Sequence, residues 1–264
     1  MLSIIQNKYY IVRLGDFATN GNTKLLYGLF SILLCIDDYI SRNSNDCFII
    51  LLGSTIIWTL VEIYLHISCT RIIKPMYITL LDHKYELSQP VGIILQGLQE
   101  GGLITTLGLY FGDRITEIKY IILLHLFILY AMINIYMRKN VTKSSKRQVN
   151  THSSLLFIST ITIYDIKCLY QHPEHISRQF SMFFIMIYIC FFWTFFSWYK
   201  GFRTIEVHIK NSKYNHITDN DNNSIQEYNI KPLTKVDTFY ILSYDIIFEI
   251  GIAYILFYNL FLQH

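Results

Sequence analysis

Alanine is nearly missing from this 264-residue sequence, which has 3 Ala against 44 Ile, and only 16% of its positions are charged. With 52% hydrophobic residues and a mean hydropathy of +0.33, that scarcity of charge moves the reading away from a water-soluble domain and toward a membrane protein. The net charge of +3 is small and sits in a few connecting segments, so nucleic-acid binding has little support. Cysteines at 35, 47, 69, 168 and 190 form neither a CxxC pair nor an even framework, which leaves them reduced and structural. Met1–Leu14 lacks a basic start, a continuous apolar core and a small-residue cleavage site, and no removable signal peptide is expected. Several reactive signatures are also missing: the histidine runs of membrane di-iron enzymes, HExxH and GxSxG. Between Asp237 and Leu262 there is no Lys to anchor a retinal Schiff base.

What is present is a series of apolar runs. A hydrocarbon core about 30 Å thick needs roughly 20 helical residues, and segments 47–67, 90–111, 115–137 and 179–199 satisfy that. Three further candidates are interrupted: 24–40 by Asp37 and Asp38, 153–170 by Asp165 and Lys167, and 237–262 by Asp245 and Glu249. The expected class is therefore all-α, a single membrane domain over 1–264 built as a bundle of about seven spans. Lys and Arg test this arrangement, because they accumulate on the cytoplasmic side. With seven spans, 17 of the 22 fall on one side, four on the other, and Lys167 lies within a span. This gives a cytoplasmic N-terminus and a C-terminus on the opposite side. Sequons at Asn140 and Asn222 fall in the basic loops and are expected to stay unmodified.

The skew toward Ile, Tyr, Asn and Lys resembles the composition of proteins from AT-rich genomes, including large, mimivirus-type DNA viruses. The resemblance is to uncharacterised multi-pass membrane proteins of that kind, rests on composition only and implies no activity. Segment 200–236 has a polar stretch with too little apolar content to form a core, so it reads as a mobile cytoplasmic loop. Asp219, Asp221 and Asn223 open like a calcium loop, but Ser224 and Ile230 stand where Gly and a bidentate Glu are needed. Segment 71–89, with Pro75 and the apolar patch 76–81, reads equally as an interfacial stretch or an ordinary loop.

Ionisable groups within spans mark the places where chemistry could sit. Thr55, Thr59, Glu62 and His66 share one helical face. A Glu and a His one turn apart can share a proton, hold a metal or simply pair, and structural pairing is the first expectation. Gly97, Gly101, Gly108 and Gly112 make two GxxxG units on one face of the third span, which predicts close approach of a neighbouring helix and a central position. Beside them lie Gln96, Gln99 and Glu100. On the last span, Asp245 and Glu249 are one turn apart, and two like charges in hydrocarbon call for a neutral acid or a bound cation. His125 lies near mid-depth, while His172, Glu174 and His175 occupy an outer turn.

Glu62, His66, Glu100, Asp245 and Glu249 are thus the candidate intramembrane polar site, with no metal ligand set, catalytic residue or cofactor assigned. The expected partner is the lipid bilayer, with association into homo- or hetero-oligomers left open. Three roles follow in order of the assumptions they need: a non-enzymatic membrane or assembly component, a proton, cation or small-solute transporter or channel, and a membrane-embedded lipid-modifying enzyme.

Overall fold

The apolar runs become helices in a computed structural model of the protein, which describes residues 8–139, 142–149, 152–210 and 228–263. Seven helices follow the order of the sequence. They are α1 (Gly21–Arg42), α2 (Asp46–Ile67), α3 (89–112), α4 (Ile118–Met137), α5 (His152–Gln171), α6 (Ile176–Tyr199) and α7 (Lys235–Phe261). α2, α4, the stretch Pro173–Tyr199 containing α6, and α7 are long and apolar enough to cross a membrane, judged by length and composition.

α1, the least regular of the runs by sequence, is a full 22-residue helix capped at Asn20, whose side chain accepts from the Thr23 amide. Its two aspartates do not break it because both find partners. Asp38 accepts from Arg114 Nη2 at 2.7 Å, and Asp37 from the Tyr110 hydroxyl at 2.6 Å. α5 carries Asp165 in the same way, buried and accepting from Asn259 of α7 at 2.7 Å.

The all-α expectation needs correction. The segments between helices form a five-stranded antiparallel sheet in the order β2-β5-β1-β6-β7, from β1 (Lys8–Leu14), β2 (Arg71–Ile73), β5 (Lys143–Val149), β6 (Arg203–Lys210) and β7 (Tyr228–Pro232). The basic character of these segments makes them read as solvated loops, while their alternation is what builds strands. Ile11, Val149 and Ile205 lie on the face that packs on Leu242 of α7, with Phe195 and Trp198 of α6 alongside. Segment 200–236, expected as one loop, contributes β6 and β7. The calcium-like residues 219–223 and the sequons Asn140 and Asn222 lie outside the described residues. Segment 71–89 holds β2 and a small hairpin, β3 (Tyr77–Leu80) and β4 (His83–Glu86), joined by Leu81 and Asp82. Both turn residues have positive φ, which matches the twist of a two-residue hairpin.

Because β1 precedes α1, β2 follows α2, β5 links α4 to α5, and β6 and β7 link α6 to α7, the sheet gathers one end of every helix. The helices therefore alternate in direction, and the sheet caps one end of the bundle. At the other end the connections are short and tied by ion pairs: Arg178 with Asp46 and Asp113, and Arg42 with Asp113.

α3 is central, and its stretch 105–112 is buried throughout. The four glycines do not serve one neighbour, however. Gly97 and Gly101 lie against Thr59, Ser54 and Trp58 of α2, while Gly108 and Gly112 lie against Met182 and Met186 of α6. Between the two pairs, Leu98–Leu103 is a π-helix. A π turn holds more residues than an α turn, so the second glycine pair is rotated toward a different helix. A Cβ on Gly101 would come within 2.6 Å of the Ser54 carbonyl oxygen, and one on Gly112 within 2.9 Å of the Met182 amide nitrogen, while one on Gly92 would meet Met76 at an ordinary 3.6 Å. Alanine favours a helix over glycine by about 1 kcal/mol, but overlap with backbone outweighs that gain. G101A and G112A should each destabilise by about 1–3 kcal/mol, whereas G92A should be neutral or stabilising, as read from thermal unfolding of purified protein.

Candidate functional site

Four of the five residues expected to make a polar site meet at the capped end, and each is met there by arginine. Glu62 of α2 is fully buried and bonded to Arg71 of β2. Glu100 accepts two bonds from Arg71, at 2.7 and 2.9 Å, one from Arg13 of β1 at 2.6 Å and one from Trp58 at 3.3 Å. Arg147 of β5 reaches both Asp245 and Glu249, the latter at 2.6 Å. Arg203 of β6 donates to Asp245 at 2.6 Å and to the Thr194 hydroxyl at 2.7 Å. Asp245 and Glu249 thus each face a guanidinium group, which offsets their mutual repulsion.

The backbone helps to aim these carboxylates. Glu100 lies in the π-helix of α3, and Asp245 and Glu249 lie in a second π-helix, Asp245–Ile252, within α7. A π stretch shifts the helical register and re-aims its side chains. Only in these two places among the described residues does a π-helix occur, and both carry cluster carboxylates.

The arginines come from one face of the sheet. Arg71 stands opposite Arg147, Arg147 opposite Ile11, and Arg13 opposite Arg203. Like charges directly across strands destabilise a sheet, so the face depends on the carboxylates that descend from the bundle. Burial lowers the pKa of the Arg71 and Arg147 guanidinium groups, but the adjoining acids outweigh it and hold both above their ordinary value. Burial pushes Arg203 down to about 10, with Asp245 opposing, and it remains a cation at neutral pH. Nearby, Lys24 in the first turn of α1 is buried and donates to Gln96 at 2.6 Å and to Gln99. The polar patch on α3 is thereby occupied by the lysine that opens the 24–40 run and that the sequence counts only as charge on one side.

Arg13, Arg71, Arg147, Arg203, Glu100, Asp245 and Glu249 form the charged end of a cavity of about 680 Å³. Its other walls are apolar, from Ile57, Leu103, Leu107, Ala253, Tyr254 and Leu256. It reaches the surface at Leu60 and Tyr64 of α2 and Phe157 of α5, which line it and are themselves exposed.

The remaining candidates stand apart. His66 Nδ1 contacts the Glu62 carbonyl at 2.8 Å and is 3.9 Å from its carboxylate, so Arg71 is the close partner of Glu62. His125 pairs with the Tyr188 hydroxyl at 2.9 Å, and His175 with that of Tyr258 at 2.7 Å. Among the described residues, no group of three His, Cys, Asp or Glu side chains is placed to hold a metal ion. What sequence reasoning missed were the arginines, which it counted only as orienting charge. The available signal was their parity: Arg13 falls two positions from Ile11, and Arg203 two from Ile205, on the apolar face of an alternating strand.

No model of a known protein family, no curated protein and no solved structure matches the chain.

Removing one partner from a buried ion pair leaves the other uncompensated, at a cost of about 3–5 kcal/mol. E100Q, which deprives both Arg13 and Arg71, should therefore lower the unfolding temperature far more than E174Q at an exposed turn, which should stay within about 0.5 kcal/mol of the parent. A pH effect follows at the opposite end. Burial raises the Asp113 pKa, but Arg178 and Arg42 outweigh it and hold the carboxyl below its ordinary 3.8. A depressed folded pKa stabilises above the ordinary value, and the contribution is lost as pH falls through the folded one. The stability difference between the parent and D113N should be full at neutral pH and shrink below about pH 4, as followed by thermal unfolding across that range.

Proposed function

We propose that this chain is a non-enzymatic multi-pass membrane protein in which all seven helices cross the bilayer and a basic sheet caps the cytoplasmic face of an internal cavity. The observation that carries this reading is the outward apolar surface of helices that composition alone would leave aside. On α1, Leu25, Leu26, Leu29, Ile32, Leu33 and Ile36 are all more than 40% exposed, and Leu155, Leu156, Ile163 and Ile166 of α5 are likewise exposed. Such belts mark surfaces that contact a membrane or a protein partner. A helix of 22 residues at 1.5 Å per residue is long enough for a core of about 30 Å.

The cap supports the proposed orientation, since its strands and their flanking segments hold most of the Lys and Arg, which favour the cytoplasmic side. Within this reading the intramembrane acids are anchors for the arginines of the cap. Of the transport alternatives, a solute with negative charge suits the site better than a proton or cation, because each candidate carboxylate already faces a guanidinium group. The enzyme alternative loses its acid–base pair, with His66 turned to a backbone carbonyl.

Topology can be tested with the native thiols. Cys69 is exposed in the turn between α2 and β2, while Cys35, Cys47, Cys168 and Cys190 are buried. A membrane-impermeant maleimide should label Cys69 only after the cells are permeabilised, and E174C, at the other end, in intact cells. Labelling of Cys69 from outside intact cells would reverse the proposed orientation.

A further inference from the structure

We propose that the cavity binds a single-chain anionic amphiphile, entering sideways past Leu60, Tyr64 and Phe157 and resting its charged head near Arg13. The inference deepens the membrane reading above and rests on it, since the mouth then opens to the acyl chains of the bilayer.

Charge is the first argument. Among the described residues, four arginines, Arg13, Arg71, Arg147 and Arg203, line the cavity against three carboxylates, Glu100, Asp245 and Glu249, which leaves one positive charge in excess. Adding buried Lys24 and Glu62 leaves the same excess. A surplus cation beside an apolar cavity is costly, and an anionic head offsets it. Arg13 is the group best placed to receive that head. Among the described residues its one carboxylate contact is Glu100, which Arg71 already engages through two bonds, and its side chain is 26% exposed, the most of the four.

Shape is the second argument. The charged groups sit at one end, and the rest of the wall offers a tail Ile57, Leu103, Leu107 and Leu256. About 680 Å³ lies within the range of pockets that take one small ligand, which suits one acyl chain. The exposed edge is itself apolar, so a tail meets no polar barrier on entry, while a free inorganic anion would have to cross hydrocarbon to arrive by that route.

Two tryptophans provide the readout, because Trp58 and Trp193 line the cavity and Trp198 does not. The full-length protein, reconstituted in phosphatidylcholine nanodiscs, would be titrated with dibromostearate, its methyl ester and a dibrominated lysophosphatidic acid, whose bromines quench tryptophan on contact. Both acids should quench saturably, at concentrations about tenfold below the ester, the equivalent of one charge-assisted hydrogen bond. The lower midpoint of the two acids assigns the head as carboxylate or phosphate. R13Q should raise the acid midpoints about tenfold and leave the ester unchanged. A253F, which puts a ring into the cavity, and independently L60W at its mouth with Trp58 and Trp193 retained, should reduce saturable quenching at Trp58 and Trp193. The W58F/W193F variant, retaining Trp198, should show none. Equal midpoints for acid and ester, or saturable quenching unchanged by both A253F and L60W, would overturn the proposal. A protein that labels with the wrong topology fails in the thiol experiment whatever the quenching shows, so the two readings fail separately.

Discussion

The contact between the arginines of the sheet and the carboxylates of the helices is the constraint on which the rest of the structure depends. Arg71 faces Arg147 across the sheet, and Arg13 faces Arg203, so the inner sheet face carries four guanidinium groups on four successive strands. Left to itself that face would repel its own strands. Glu62, Glu100, Asp245 and Glu249 would be equally unfavourable alone in an apolar bundle. Each set compensates the other, so the cap and the helix bundle stabilise one another. The apolar contacts of Ile11, Val149 and Ile205 with Leu242 bring the two layers together without regard to register, and the ion pairs set the register.

The same requirement accounts for the irregular helices. A regular α3 would point all four glycines to one neighbour; the π-helix at Leu98–Leu103 lets Gly97 and Gly101 pack on α2, Gly108 and Gly112 pack on α6, and Glu100 turn to Arg13 and Arg71 between them. In α7 the second π-helix holds Asp245 and Glu249 toward Arg147. The other end of the bundle is tied by a simpler set of contacts, in which Arg42, Arg114 and Arg178 meet Asp38, Asp46 and Asp113 where helices begin and end. With charge concentrated at both ends and an apolar middle, the bundle takes on the profile of a bilayer.

Much of the helical architecture was legible in the residues. Runs of Ile, Leu and Phe located all seven helices to within a few residues, since length and hydropathy are local properties. The centrality of α3 was legible from its glycines, and the need of Glu62, Glu100, Asp245 and Glu249 for polar partners from the cost of placing acids in apolar runs. The sheet was not. Its strands are short and basic, the paired β1 and β5 are separated by four helices in sequence and β1 and β6 by six, and strand pairing is a non-local property that periodicity in a single segment signals only weakly.

By itself the sequence determined where helices form, which residues are too polar to face lipid, and how Lys and Arg divide between the two ends, because each depends on composition within one turn or one run. Only the tertiary structure decided what those acids meet. That choice depends on bringing Arg13, Arg71, Arg147 and Arg203, spread over 190 residues of chain, onto one sheet face, and on two π-helical shifts of register whose cause lies in the packing between helices. The physical reason is that charge pairing reaches only a few ångströms through an apolar interior, so partners are fixed by the path of the whole chain.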